Sequence, residues 1–367
     1  MRISFLLPSY PGRPIGGFKV VYEYANQLSS RGHRVTILHP SFTYEVPKER
    51  FPKIIRRIWR TYLGTRRARR GARVIWHRIS PEVEMKYLPL GPDSSQFPEG
   101  DFVFATAWET AGPVLNLPSS KGIKCYLIQH YEIWSGTEEQ VRGTWEMPLH
   151  KVVISRWLLE LGTSMGLSDI VHIPNAIDHE ECHIVFDPEC REPSVVSMSH
   201  YQDWKGCDDA VRALTLLHES HPYVKITFFG IPLRDDNLPS WIDYYQQPSR
   251  EMLVKDIYNR HAVYLAASWS EGWGLPPAEA MACGCAFVGT KIGGFMEFSK
   301  HMETALLSPP RDPESLYRNL VSIIDDPGLR KSIQKAGTSK IREFNWGSST
   351  EKLETWMHSL LNANADN

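Results

Sequence analysis

The chain alternates short apolar runs with longer segments whose apolar positions recur at helical spacing. This is the pattern of βα units and a mostly parallel sheet. Residues 3–8 read as the first strand, followed by a loop with Pro11 and Pro14 that ends in Gly16-Gly17. A helix over 19–30 places Val20, Val21, Tyr24, Ala25 and Leu28 on one face and stops at Arg31-Gly32. Further strands are expected at 35–39, 102–106, 125–129, 151–155 and 169–173, with a helix over 156–162. Past Pro174-Asn175 the pattern lapses, and the polar stretch 178–193, with Pro188 and Pro193, reads as a linker. Alternation then resumes: strands at 195–199, 225–229, 263–267 and 286–289, and helices over 208–218, 249–260, 276–282, 313–325 and 348–361.

The fold class is therefore α/β, and 367 residues suit two domains better than one. Doubly wound sheets bind ligands outside their strand C-termini, so a cleft between two such domains is the expected site. Composition narrows the function only by exclusion. A formal net charge of −1 gives no support to nucleic-acid binding. The opening MRISFLL is too short for a signal peptide's apolar core, and no run reaches the roughly 18 apolar residues of a membrane span. The six cysteines are scattered, and the Cys283/Cys285 pair has no partners for a zinc site, so free thiols are expected.

Chemistry concentrates in 268–284, SWSEGWGLPPAEAMACG. A strand end, a glycine-punctuated loop and a helix opened by Pro276-Pro277 let the amides of Gly272, Trp273, Gly274 and Leu275 converge on an anion, aided by the helix dipole. Glu271 and Glu279 flank that nest. A carboxylate accepts two charge-assisted hydrogen bonds at fixed geometry, which suits sugar hydroxyls.

EGWGLPPAEAMACG resembles the E-x7-E signature of the retaining GT-B glycosyltransferases, the large group that includes bacterial mannosyltransferases and sucrose synthase. The resemblance extends over nearly the whole chain and is densest from about 195 to 346. It implies two Rossmann-like domains facing across a cleft: an acceptor-binding one over 1–177, a nucleotide-sugar-binding one over 178–345, and a helix over 346–367 crossing back. It implies that Glu279 binds the donor ribose and that Glu271 lies near the transferring sugar. His200-Tyr-Gln-Asp-Trp-Lys205-Gly206 resembles a motif whose two cations grip the donor diphosphate, with Lys205 in place and His200 where the family has arginine. Histidine lacks the guanidinium fork. Gly293-Gly294 and Glu297 resemble the family's G-G-x-x-E, and Gly16-Gly17 its first-domain glycine loop; Gly230 joins the implied donor contacts. His130 takes the place of a histidine on the donor sugar, with Tyr131 and Glu132 as acceptor candidates.

The resemblance implies retaining sugar transfer from a nucleotide diphosphate sugar, UDP favoured and GDP next, with Glu271, Lys205 and His130 catalytic. The acceptor expected is a glycan or lipid-linked sugar of cell-surface polysaccharide or glycolipid synthesis, in the cytoplasm. No cofactor or metal is expected, since the chain has no Asp-x-Asp. The His200 departure keeps open a degenerate nucleotide-sugar-binding protein acting as regulator or scaffold. From Lys48 to Arg78, twelve Lys or Arg and a single Glu interleave with Ile54, Ile55, Ile58, Trp59, Tyr62 and Leu63. That composition suits an anionic membrane surface.

Overall fold

The computed structural model describes residues 1–10, 12–40, 74–88 and 93–365. Most of the basic segment, 48–73, lies outside the described residues. The chain divides into two compact units, Met1–Pro174 with Trp346–Asn367, and Asn175–Asn345.

Among the described residues, the first unit holds seven strands: β1 (Arg2–Leu6), β2 (Arg34–Pro40), β3 (Glu84–Leu88), β4 (Phe102–Ala105), β5 (Ile123–Ile128), β6 (His150–Val153) and β7 (Ile170–His172). They pair in parallel in the order β3-β2-β1-β4-β5-β6-β7, so the winding reverses between β1 and β4. Helices cover both faces of such a sheet, which is why central strands read as unbroken apolar runs. Phe102, Val103, Phe104 and Ala105 are all buried, and Phe5 stacks on Phe104 with centroids 5.0 Å apart. The described residues of this part of the chain form α1 (Gly16–Ser30), α2 (Trp108–Leu115), α3 (Glu138–Trp145) and α4 (Arg156–Ser164). His39 is buried at the β2 end, with Nδ1 on the Ser9 carbonyl at 2.9 Å and Nε2 on the Tyr22 hydroxyl at 3.2 Å. Burial holds its pKa down at about 4, so it packs as a neutral ring.

The second unit holds β8 (Ser194–Ser199), β9 (Lys225–Gly230), β10 (Ile242–Gln246), β11 (Val263–Ala266), β12 (Ala286–Thr290) and β13 (Leu306–Ser308), parallel in the order β10-β9-β8-β11-β12-β13. Its helices are α5 (Cys207–Ser220), α6 (Leu275–Ala282), α7 (Gly293–Met296), α8 (Pro313–Asp325) and α9 (Pro327–Ile341). Val195, Ile226, Val263, Leu265 and Val288 meet Leu214, Leu217, Leu316 and Leu320 in one core. The last helix, α10 (Trp346–Ala365), rejoins the first unit. Glu354 accepts from Arg31 and, at 2.6 Å, from His33, while Trp346 packs edge-on to Tyr24 at 5.1 Å.

Two expectations are corrected. The segment 249–260 is not one helix but an α-turn at Arg250–Met252, a π-helical turn at Leu253–Ile257 and a 3-10 turn at Tyr258–Arg260. π turns are rare and occur frequently at functional sites, and this one follows Arg250, whose contacts are described below. Nor is 178–193 a free linker. Cys182 and Arg191 are buried against the second unit. The Arg191 guanidinium donates to the carbonyls of Tyr258 at 3.2 Å, His261 at 2.9 Å and Cys283 at 2.6 Å. Polar sequence misleads here because one arginine saturates several buried carbonyls at once. Arg191→Met strands those acceptors, and each buried unsatisfied group costs about 1–3 kcal/mol. The urea midpoint of the second unit should drop sharply, whereas a wild-type midpoint would mean that water replaces the guanidinium.

Candidate active site

The β8/β11 boundary is the switch point of the second sheet, and the residues expected around the donor gather at its C-terminal edge. Lys205 ends a 3-10 turn, Asp203–Lys205, after β8, and Glu271 follows β11. Lys205 Nζ lies 2.8 Å from both carboxylate oxygens of Glu271, and Ser268 Oγ donates to Oε1 at 2.9 Å. The two side chains keep only 18% and 14% of their surface exposed, so the pair is held rather than solvated. An ammonium has three protons, and Glu271 engages two directions of it.

Close backbone approach fixes this arrangement. Gly206 takes left-handed φ 64 between the turn and α5, and a Cβ there would fall 2.0 Å from the Ala267 carbonyl oxygen. At Gly294, in the first turn of α7, a Cβ would fall 2.5 Å from the Glu271 carbonyl oxygen. Both glycines let one strand exit rest on another, so at least part of their role is packing. Gly230 lies likewise against Ser199, its β8 partner. Gly272, Trp273, Gly274 and Leu275 lead into α6, whose cap is Gly274. Pro276 and Pro277 remove two first-turn donors, which leaves the anion nest to Leu275 and the loop amides. The Trp273 indole turns inward onto Phe298 at 4.8 Å and Phe344 at 5.6 Å, so this residue offers a ligand only its backbone.

Glu279 is nearly buried on α6, its side chain 5% exposed. Arg250 Nη1 donates to its Oε2 at 2.7 Å and Tyr258 OH reaches the same oxygen at 3.5 Å. Arg250 also meets Glu181 at 2.8 Å and the Cys182 sulfur at 3.0 Å. Burial opposes the Arg250 charge, but Glu279 and Glu181 outweigh it and hold its pKa above the ordinary value. Sequence reasoning missed Arg250; the only local signal was the Pro-Ser before it, where Ser249 caps the turn at 3.2 Å. His200 directly follows β8, with Gln202 N–H donating to Nδ1 at 3.2 Å, a bond that needs Nδ1 unprotonated.

The first unit gathers its own set at its β1/β4/β5 edge. Gln129, past β5, donates to the Gly17 carbonyl at 3.1 Å, tying Gly16-Gly17 at the start of α1 to that strand end. His130 meets Trp134 and Trp157 edge-on at 4.5 and 5.5 Å. Tyr131 packs on Trp145 at 5.5 Å, with its hydroxyl buried. Glu132 accepts the Trp108 N–H, at the start of α2, at 2.8 Å. The residue as a whole is half-buried, but its carboxylate is desolvated by the protein around it, and that desolvation, with Glu109 adding to it, pushes its pKa up to about 8.

Residues 183–340 match the family described as glycosyl transferases group 1. The match falls within the second unit, and the fold of the chain is GT-B. It is 23% identical over 400 residues to a glycogen synthase of Mycobacterium tuberculosis, covering 94% of this chain and 92% of the relative. It is 26% identical over 176 residues to a D-inositol 3-phosphate glycosyltransferase of Acidothermus cellulolyticus, covering 43% of this chain and 39% of that protein. Its fold is similar to a sucrose-phosphate synthase from Thermosynechococcus elongatus (TM-score 0.76, 18% identity, 99% of each chain). It is also similar to Anabaena HepE solved in complex with UDP-glucose (TM-score 0.73, 14% identity, 98% of this chain and 100% of that one).

Glu132 gives the first unit a testable pH dependence. Its folded pKa is above the unfolded value, so between about 4.5 and 8 the folded state binds the extra proton. Stability from this group is present below that window and lost as pH rises through it. Urea melts of Glu132→Gln from pH 5 to pH 9 should therefore gain on wild type as pH rises; a constant difference would show a carboxylate ionised throughout.

Proposed function

We propose that this transferase moves a sugar from a nucleotide diphosphate sugar with retention and without a metal ion. The observation that carries this reading is the Lys205–Glu271 pair beside the loop amides at the β8/β11 switch point. When the bond from the anomeric carbon to the β-phosphate oxygen breaks, negative charge grows on the diphosphate and positive charge on the sugar. The third proton of Lys205 and the amides around Leu275 meet the first, and Glu271 lies beside the second. The acceptor oxygen bonds the anomeric carbon on the face the phosphate leaves, and its proton passes to that phosphate. Glu271 then orients the sugar and forms no covalent bond to it. Glu279, fixed by Arg250, takes the ribose hydroxyls.

UDP is the favoured nucleotide and GDP the next; a UDP-glucose complex of the similar HepE supports the first. The first unit, with His130, Tyr131 and Glu132, serves a glycan or lipid-linked acceptor in polysaccharide or glycolipid synthesis. A second reading, a catalytically degenerate nucleotide-sugar binder, is favoured by His200, whose Nδ1 is spent on a backbone amide.

A melting panel with UDP, GDP, ADP and CMP, EDTA present throughout, tests the donor. A ligand of the folded state adds RT ln(1 + [L]/Kd), about 2.7 kcal/mol at a hundredfold excess. One nucleotide should raise Tm, and Glu279→Gln should abolish the gain; no shift with any of them would overturn the reading. Transfer of radiolabelled sugar from the nucleotide found then separates enzyme from degenerate binder. The basic composition of the stretch from Lys48 to Arg78 supports contact with an anionic membrane surface, and among the described residues no helix is long and apolar enough to cross a membrane. Sedimentation with phosphatidylglycerol vesicles should pellet it, more weakly at high salt, and equal recovery from neutral vesicles would sink that assignment.

A further inference from the structure

Three non-glycine residues hold positive φ among the described residues, and one of them, Arg311 (φ 62), lies at the C-terminal edge of the second sheet after β13. Such a backbone costs a bulky residue energy and is retained where its direction matters. The Arg311 guanidinium carbon sits 4.2 Å from the centre of the Trp269 ring. Trp269 belongs to the loop that carries Glu271. Its backbone N–H donates to the Trp204 carbonyl at 2.7 Å and its indole N–H to Asp209 at 2.7 Å. The ring is therefore fixed between the β11 exit and the start of α5, one residue from Lys205.

Strand order gives this contact its meaning. The β13 strand is the edge strand, two places from β11, yet its following loop returns a cation to the β8/β11 boundary. Arg311 is exposed, and among the described residues its guanidinium meets no carboxylate. Lys205 gives two of its three protons to Glu271, and His200 Nδ1 accepts a backbone amide. A stacked guanidinium keeps its in-plane N–H groups for a bidentate anion.

We propose that Arg311, stacked on Trp269, is the second diphosphate-binding cation of this transferase, closing on the β-phosphate opposite Lys205. The inference rests on the donor reading above and names the side chain that completes it. Arg311 positions and neutralises the leaving group; no bond forms to it.

Binding of inorganic pyrophosphate, UMP and UDP, measured by calorimetry with EDTA present, tests it on wild type, Arg311→Gly and Arg311→Lys. Glycine adopts the left-handed backbone without strain, so Arg311→Gly should fold with a Tm at or above wild type. Its affinity for pyrophosphate and UDP should fall at least tenfold, that for UMP by less than threefold, and Arg311→Lys should recover part of the loss. Wild-type pyrophosphate affinity in Arg311→Gly overturns the proposal, and so does failure of the wild type to bind pyrophosphate. UDP binding in that last case would leave the donor reading standing. Conversely, pyrophosphate binding that needs Arg311, with no nucleotide bound, would retain the anion site and remove the nucleotide.

Discussion

A lysine ammonium clasped by both oxygens of a carboxylate organises the second unit. Lys205 comes from the β8 exit and Glu271 from the β11 exit, the strands between which the sheet reverses. Their approach requires the backbone under them to be nearly in contact, and it is: Gly206 rests on Ala267 and Gly294 on Glu271. Ser268, whose carbonyl takes the Thr290 hydroxyl, ties the carboxylate to β12 as well. A charge pair this enclosed is weak evidence for stability, since desolvation offsets attraction. In the donor reading proposed above, its value lies in holding one ammonium proton where an incoming anion would find it.

Two further arginines extend that logic away from the sheet edge. Arg191 anchors the strap at 178–193 by filling carbonyl acceptors, and Arg250 joins Glu181 on that strap to Glu279 on α6. Each lies on polar, irregular chain, yet Arg191 is buried and Arg250 half-buried, both with partners. Removing either partner costs more than the pair contributes, because the remaining group is left dry and unmatched. Arg311 is the opposite case, a cation stacked on a ring and left open to solvent.

In the first unit burial acts on titration rather than on pairing. His39 is kept neutral inside the β2 end, and Glu132 is drawn toward its neutral form while capping α2. Both sit at strand exits, where loop backbone needs side-chain partners.

The sequence by itself determined the βα alternation, the extents of α1, α5, α8 and the central strands, and the clustering of Glu271, Glu279 and Lys205 on motifs. Those features follow from local rules: apolar spacing, glycine and proline punctuation, and carboxylates beside a helix start. It did not reveal β3, β10 and β13, because edge strands are half-solvated or only three residues long and carry no continuous apolar run. It missed α2, whose Gly112-Pro113 opposes helix propensity, and α9, which is polar over most of its length. Only tertiary structure decided that Trp273 faces the core, that Arg250 holds Glu279, that 178–193 is strapped down and that Arg311 reaches Trp269. Each is a contact between residues far apart in the chain, fixed by burial and charge in three dimensions, for which spacing along one dimension carries no signal.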